Sequence, residues 1–200
     1  MQLDFSPLRP AECYKVLASL ITPRPIAWIT TVNQEGAVNA APFSFFNCFG
    51  SNPPIVAFAP GNKDPGIPKD TARNIRNNRE FVVNIADETL ADKMVATSAS
   101  LPHGESELAI TGLSAAKSVS VMAPRIAEAP VSFECREWAT LEIGSNRMVV
   151  GTVHHAHIRD GILDPDTLHL QPEMFLPVGR MAAPDWYCRT SNQYEIKRPE

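Results

Sequence analysis

Two short stretches of this 200-residue chain carry residue types suited to holding a ligand. The first is Lys69-Asp70-Thr71-Ala72-Arg73-Asn74-Ile75, which sets a hydroxyl and a carboxamide one helical turn apart, with Lys63 nearby in sequence. With Thr71 as N-cap of a helix over Ala72 to Asn78, its hydroxyl and the free N–H groups of the first turn suit a phosphate. Asn74 then points the same way, and Lys63 and Lys69 supply neutralising charge. The same residues also describe a Thr-capped helix with an amide on its solvent face. The second stretch is Ala41-Pro42-Phe43-Ser44-Phe45-Phe46. Small side chains (Ala40, Ala41, Ser44) beside rings let a flat ligand lie close to backbone. A barrel core with a Pro-rich corner has the same composition.

Other polar residues invite weaker readings. Arg24 sits between Pro23 and Pro25 on a rigid backbone, from which it reaches a phosphate or a nucleotide, or is simply solvated. His154, His155 and His157 resemble a metal cluster only at first sight. On a strand His155 and His157 share a face and His154 takes the other. Two histidines without an H-x-E or C-x-x-C partner are too few for catalytic zinc, so no metal is expected. There is no GxSxG, HExxH, Walker A or GxGxxG motif. No nucleophile–base pair stands out, and no side chain is given a catalytic role.

The elements that must position these residues are mostly strands. Ile26 to Val32 is an apolar, β-branched run. Asn33 to Gly36 is a turn, and Val38 to Ala41 begins the return. Pro42 to Asn47 breaks the pattern, and Pro53-Pro54 stops it before a strand at Ile55 to Phe58. Glu80 to Ala86 is another strand. Pro130 to Ile143 and Met148 to Arg159 form the clearest hairpin, with a loop at 144–147. Helices are expected at Pro10 to Ile21 and Thr89 to Thr97, with one turn near Ser106 to Ile110. Loops are expected at 61–68 and 98–105, and the tail from Ala182 is polar and aromatic. The sum is mainly β with peripheral helices, one domain over 1–200.

Composition narrows the class. The apolar fraction of 44% and the net charge of −4 describe an ordinary globule. No basic run offers phosphates a nucleic-acid track. Cys13, Cys48, Cys135 and Cys188 are scattered, which points to free thiols and a cytoplasmic setting. No apolar run reaches the ~20 residues of a membrane span, and the N-terminus lacks the signature of a secretory leader.

The ordered set of motifs resembles the flavin reductase-like family. It comprises T-P-R-P-I-A at Thr22 to Ala27, N-A-A-P-F-S-F-F-N at Asn39 to Asn47, N-P-P at Asn52 to Pro54, and K-D-T-A-R-N-I at Lys69 to Ile75. Gly112-Leu113, Ala123 to Arg125 and Val178 to Arg180 extend it over most of the chain. The resemblance implies an FMN-binding split β-barrel and an NAD(P)H:flavin oxidoreductase. It also implies a homodimer and a partner monooxygenase that receives reduced flavin. A non-catalytic FMN-binding electron carrier is the alternative. It places the FMN phosphate at Lys69, Thr71 and Asn74, and the ring against Ala41, Pro42, Phe43, Ser44 and Phe45, with Asn39 and Arg24 as further contacts. It makes Arg180 a candidate for NADH or NADPH, and His155 is kept as a second. The family usually follows the V-G-R arginine with Leu-Gly-Gly; here Met181-Ala182-Ala183 stands there, which alters the pocket mouth. Hydride transfer between two cofactors needs stacking rather than an acid–base set, which agrees with the missing catalytic motifs.

Overall fold

In a computed structural model the described residues are 1–200 apart from Pro65, His103, Arg198 and Glu200. Parts of the expected 61–68 and 98–105 loops and of the tail therefore lie outside the described residues. The elements that matter here are α1 (Pro10–Leu20), β1 (Ala27–Val32), β2 (Val38–Phe43), β3 (Phe46–Ser51), β4 (Pro54–Phe58) and α2 (Asp70–Asn78). They continue with β5 (Glu80–Ile85), α3 (Ala91–Ala96), α4 (Glu107–Thr111), β6 (Val131–Ile143) and β7 (Asn146–Ile158).

The seven strands form one antiparallel sheet in the order β2-β1-β5-β6-β7-β4-β3. Its two edge strands, β2 and β3, are consecutive in the chain, joined only by Ser44 and Phe45. A link that short spans about 10 Å at most. The sheet must therefore curl until its edges meet, and the seam of the barrel runs past Ser44.

Two apolar clusters explain the burial. Ala27 and Ile29 of β1 join Phe43, Phe58, Phe81, Val83 and Val149 inside the curl. Trp28, on the opposite face, joins Leu90, Met94, Leu108 and Ile126 beneath α3 and α4. A strand covered on both faces reads as a continuous apolar run, as β1 does. The barrel interior is filled rather than open. A Cβ added at Gly151 would lie 2.5 Å from the Phe81 ring, so glycine there makes room for the ring.

Several expectations change. β2 runs on through Pro42 to Phe43, and Phe46–Ser51 is a strand, not part of a break. Pro42 fits because β2 is an edge strand, where a missing N–H removes no ladder bond. The hairpin loop narrows to Gly144-Ser145, with Gly144 at φ 60°. That is the glycine-first pattern favoured in two-residue turns. The helix expected over Thr89 to Thr97 divides into a 3-10 turn, Glu88–Leu90, and α3. Asp87 caps the turn by accepting from the Thr89 N–H at 3.1 Å. Helix α2 starts at Asp70 with Lys69 at the N-cap, so Thr71 lies inside the first turn and caps nothing.

Candidate functional site

Helix α2 docks across the end of the β1–β2 ladder. Thr31 and Asn39 face one another in that ladder. The Asn39 amide donates to Thr71 Oγ1 at 2.9 Å, and the Asn74 amide donates to Thr31 Oγ1 at 3.0 Å. Thr71 and Asn74 thus share a face, as their spacing predicts, but that face is turned to the sheet. Asn74 is 3% exposed and holds the helix down rather than pointing outward with a free amide. Thr71 is just as buried, but unlike Asn74 it also lines a cavity beside this contact. Its oxygen accepts from Asn39, which leaves its own proton to donate.

That cavity is polar, of about 150 Å³, and lies between α2, the outer edge of β2 and α4. Asn39, Ala41, Pro42, Lys69 and Thr71 line it, with Lys63 across from them. Among the described residues, neither lysine is paired with a carboxylate: Lys63 Nζ lies 3.4 Å from the Leu101 carbonyl, and Lys69 Nζ sits 5.3 Å from the centre of the Phe43 ring. Burial holds the Lys69 ammonium below the usual lysine range. A desolvated ammonium that forms no ion pair is a ready site for an anion.

An apolar groove of about 380 Å³ lies on the other side of the seam. Leu17, Ile21, Phe45, Phe49 and Met148 wall it, with Ser44 and Arg24 among them. Phe43 links the two recesses: its ring packs, tilted, against Phe58 of the groove at 5.3 Å and lies under Lys69 of the cavity. Arg24 is committed to the fold. It donates to the carbonyls of Ala18 and Ile21, both at 2.6 Å, and of Met181 at 3.0 Å, with Ser44 Oγ at 3.4 Å. It thereby satisfies carbonyls at the C-terminal end of α1 and steadies the seam residue Ser44.

A model of the "Flavin reductase like domain" matches residues 19–177. The chain belongs to the flavin reductase-like family. Nitrilotriacetate monooxygenase component B from Bacillus cereus is similar to it at TM-score 0.93 and 29% identity, over 98% of each chain. The 2-nitrobenzoate 2-nitroreductase NbaA of Pseudomonas fluorescens is similar at TM-score 0.89 and 32% identity, over 100% of this chain and 96% of that one. A flavin reductase structure with a split barrel domain from Shewanella frigidimarina, 18% identical over 99% of this chain and 100% of that one, shares the fold at TM-score 0.81. The fold is a split β-barrel, and the function that comes with it is flavin-related oxidoreduction.

Within this flavin reductase-like chain the two nicotinamide candidates stand apart from the cavity. Arg180 pairs its backbone with Arg24, and its guanidinium turns into the tail. There it donates to the carbonyls of Trp186 at 2.9 Å and of Pro184, and stacks over Tyr187 at 4.7 Å. His155 is exposed on β7, 5.1 Å from the His157 ring, and lines neither recess. Its neighbour His157 is bound to Glu134 at 2.6 Å. Among the described residues no group of three His, Cys, Asp or Glu could hold a metal ion, and no helix is long and apolar enough to cross a membrane.

Sequence reasoning missed several cavity residues: Asn62, Ser98, Ser100 and above all Glu107. Asn62 and Lys63 share a short strand, where only a fold places them opposite α2. Glu107 is 7% exposed and reaches back 67 positions to accept from the Ala40 N–H at 2.9 Å. No local spacing could signal that contact.

Proposed function

We propose that this chain is an FMN-binding NAD(P)H:flavin oxidoreductase that passes hydride from a reduced nicotinamide to flavin and supplies reduced flavin to a separate monooxygenase. The observation that carries the reading is the set of unsaturated donors in the polar cavity. Two lysines without carboxylate partners and a threonine hydroxyl with a proton to give converge on one small space. Those donors fit a phosphate, and Lys69, Thr71 and Lys63 are the residues that would hold it. Asn39 orients the Thr71 hydroxyl, and Asn74 holds the helix that carries it. The cavity is smaller than the roughly 300–1,000 Å³ of sites that enclose a whole drug-sized ligand. It suits the phosphate arm of FMN, while Ala41, Pro42, Phe43, Ser44 and Phe45 along the seam are the ring candidates.

When bound, FMN supplies the hydride-accepting centre, so the chain needs no acid–base set. Its own work is to bind the phosphate, keep backbone close to the ring and exclude water with Phe43 and Phe45. Exposed apolar residues around the groove, Leu17, Ile21, Phe45 and Phe49 among them, favour a two-fold homodimer. The four cysteines are free, which suits the cytoplasm. The test is anaerobic stopped-flow reduction of enzyme-bound FMN by NADH and by NADPH. Reduction faster than that of free FMN is expected with at least one nucleotide. Bound flavin that neither nucleotide reduces faster would replace this reading with that of an electron carrier.

A further inference from the structure

Two carboxylates line the polar cavity, Asp70 on α2 and Glu107 on α4, and phosphate binding uses neither. Glu107 opens α4 and faces the outer edge of β2, where one carboxylate oxygen accepts the Ala40 N–H. In an antiparallel edge strand, alternate residues turn both backbone polar groups outward. The Ala40 bond shows that Ala40 and, two residues on, Pro42 are the outward pair. Ala40 has given its N–H to Glu107, and Pro42 has none. The edge beside the cavity therefore presents acceptors only: the Glu107 carboxylate and the Pro42 carbonyl oxygen.

Such a wall repels a phosphate and accepts hydroxyls. The remaining lining agrees, for Asn39, Asn62, Ser98 and Ser100 both donate and accept. One cavity thus combines Lys69, Asp70 and Thr71 on the α2 side, and Lys63 across from them, with a carboxylate and neutral polar groups on the α4 side. A simple anion has no use for the second half. A polyol phosphate uses both.

We propose that Glu107 is a ligand-binding residue that anchors the hydroxyl chain of such a molecule, in this chain the ribityl arm of the flavin. The proposal rests on the FMN reading above. A carboxylate accepting from sugar hydroxyls is the arrangement dinucleotide-binding folds use on a ribose. Burial also pushes the Glu107 carboxyl above its usual range, opposed by the Ala40 N–H and its own backbone N–H and reinforced by Asp70. Hydroxyl donors are what a carboxylate in that position lacks.

The experiment compares riboflavin with lumiflavin, which has the same ring and no ribityl chain. Both are titrated against the parent and against Glu107→Gln, whose amide oxygen still accepts from Ala40. In the parent, riboflavin should bind at least about tenfold more tightly than lumiflavin, the value of one charge-assisted hydrogen bond. In the variant, riboflavin should lose about tenfold and lumiflavin less than about twofold. Equal affinities in the parent, equal losses in the variant, or no loss for either ligand would each overturn the assignment and leave Glu107 as a cap on the strand edge. The FMN reading is judged separately, by whether the parent binds FMN more tightly than riboflavin. A parent that binds no flavin at all removes both.

Discussion

Glu107 and Glu134 are both buried carboxylates held on this sheet, and they are held in opposite ways. Glu134, on β6, is fully buried and accepts four hydrogen bonds: from the Val119 N–H at 2.7 Å, the Ser120 N–H at 2.5 Å, the Ser120 hydroxyl at 2.6 Å and His157 at 2.6 Å. Glu107 accepts from the Ala40 N–H at 2.9 Å. Burial pushes both carboxyls up. At Glu134 the Ser120 hydroxyl, His157 and the two N–H groups outweigh it and hold the group at about 2. At Glu107 burial wins. A saturated carboxylate has no capacity left for a ligand, so the Glu134 cluster pins the 119–120 loop to the hairpin. An unsaturated one beside two unpaired lysines is the chemistry of a site.

The largest test of this contrast is Glu134→Ala. It strands the Val119 and Ser120 N–H groups, the Ser120 hydroxyl and His157, and removing one member of a buried pair costs about 3–5 kcal/mol. Chemical unfolding of the apo protein should show that loss, while FMN affinity in the remaining folded protein stays within about twofold. A parallel fall in affinity would show that the hairpin cluster and the cavity are one cooperative unit.

Acid sharpens the contrast because the two groups carry opposite signs. The Glu134 carboxyl is lowered from 4.5 to about 2 on folding. Its contribution is therefore complete above about pH 4.5 and lost as pH falls toward 2, a change of about 3 kcal/mol. Glu107 is raised, so its ionisation weakens the folded state as pH rises past the ordinary glutamate value. Unfolding midpoints from pH 7 to pH 2 should fall less steeply for Glu134→Ala than for the parent. Apo Glu107→Gln should be more stable than the parent at pH 7. Identical pH profiles for the parent and Glu134→Ala would remove Glu134 from the account.

Thr71→Ala comes next. If the Thr71 hydroxyl meets a phosphate, FMN binding should weaken by roughly 1–2 kcal/mol, about tenfold. The variant also leaves the Asn39 amide without its acceptor, for a stability loss of about 1 kcal/mol. Isothermal titration and thermal unfolding of the apo form separate the two. Stability lost with FMN affinity intact would make Thr71 a docking residue like Asn74.

How much of this was legible follows from which interactions are local. The run over β1 and the Gly144-Ser145 turn announce themselves, because periodicity and turn chemistry are written in consecutive residues. The Thr71–Asn74 spacing pointed to a helix with both residues on one face, which is what α2 shows. It did not say which way that face turns, because this depends on Thr31 and Asn39 across the sheet. Pro42 read as a break because being an edge strand is a property of the sheet, not of the residue. Glu107, Glu134 and Asn84 were invisible for the same reason. Asn84 sits in an apolar run yet serves Trp28, Thr30, Ile126 and Ser132 through one side-chain amide. Polar residues whose partners lie 14 or more positions away, beyond any helical or strand period, leave no local pattern.

The smallest expected effect concerns His155. It belongs to the hairpin region, exposed beside the Glu134–His157 pair, whereas the candidate flavin contacts lie at the seam, on α2 or around the polar cavity. If the nicotinamide is seated by the recesses of one chain, His155→Ala should change neither stability nor the KM for NADH or NADPH by more than about twofold, a fraction of 1 kcal/mol. Arg180→Ala should act differently. Its guanidinium fastens the tail carbonyls beside Arg24, so its loss should loosen the tail, which limited proteolysis reads as earlier cleavage beyond residue 180. A tenfold rise in KM for His155→Ala, with flavin affinity unchanged, would reverse the comparison. The hairpin would then carry part of the nicotinamide site. Because His155 lines neither recess of its own chain, the simplest geometry for that result is a dimer in which one subunit's hairpin faces the other's seam. Repeating the measurement below the dimer dissociation concentration would decide it: the His155 effect should vanish along with the activity of the parent.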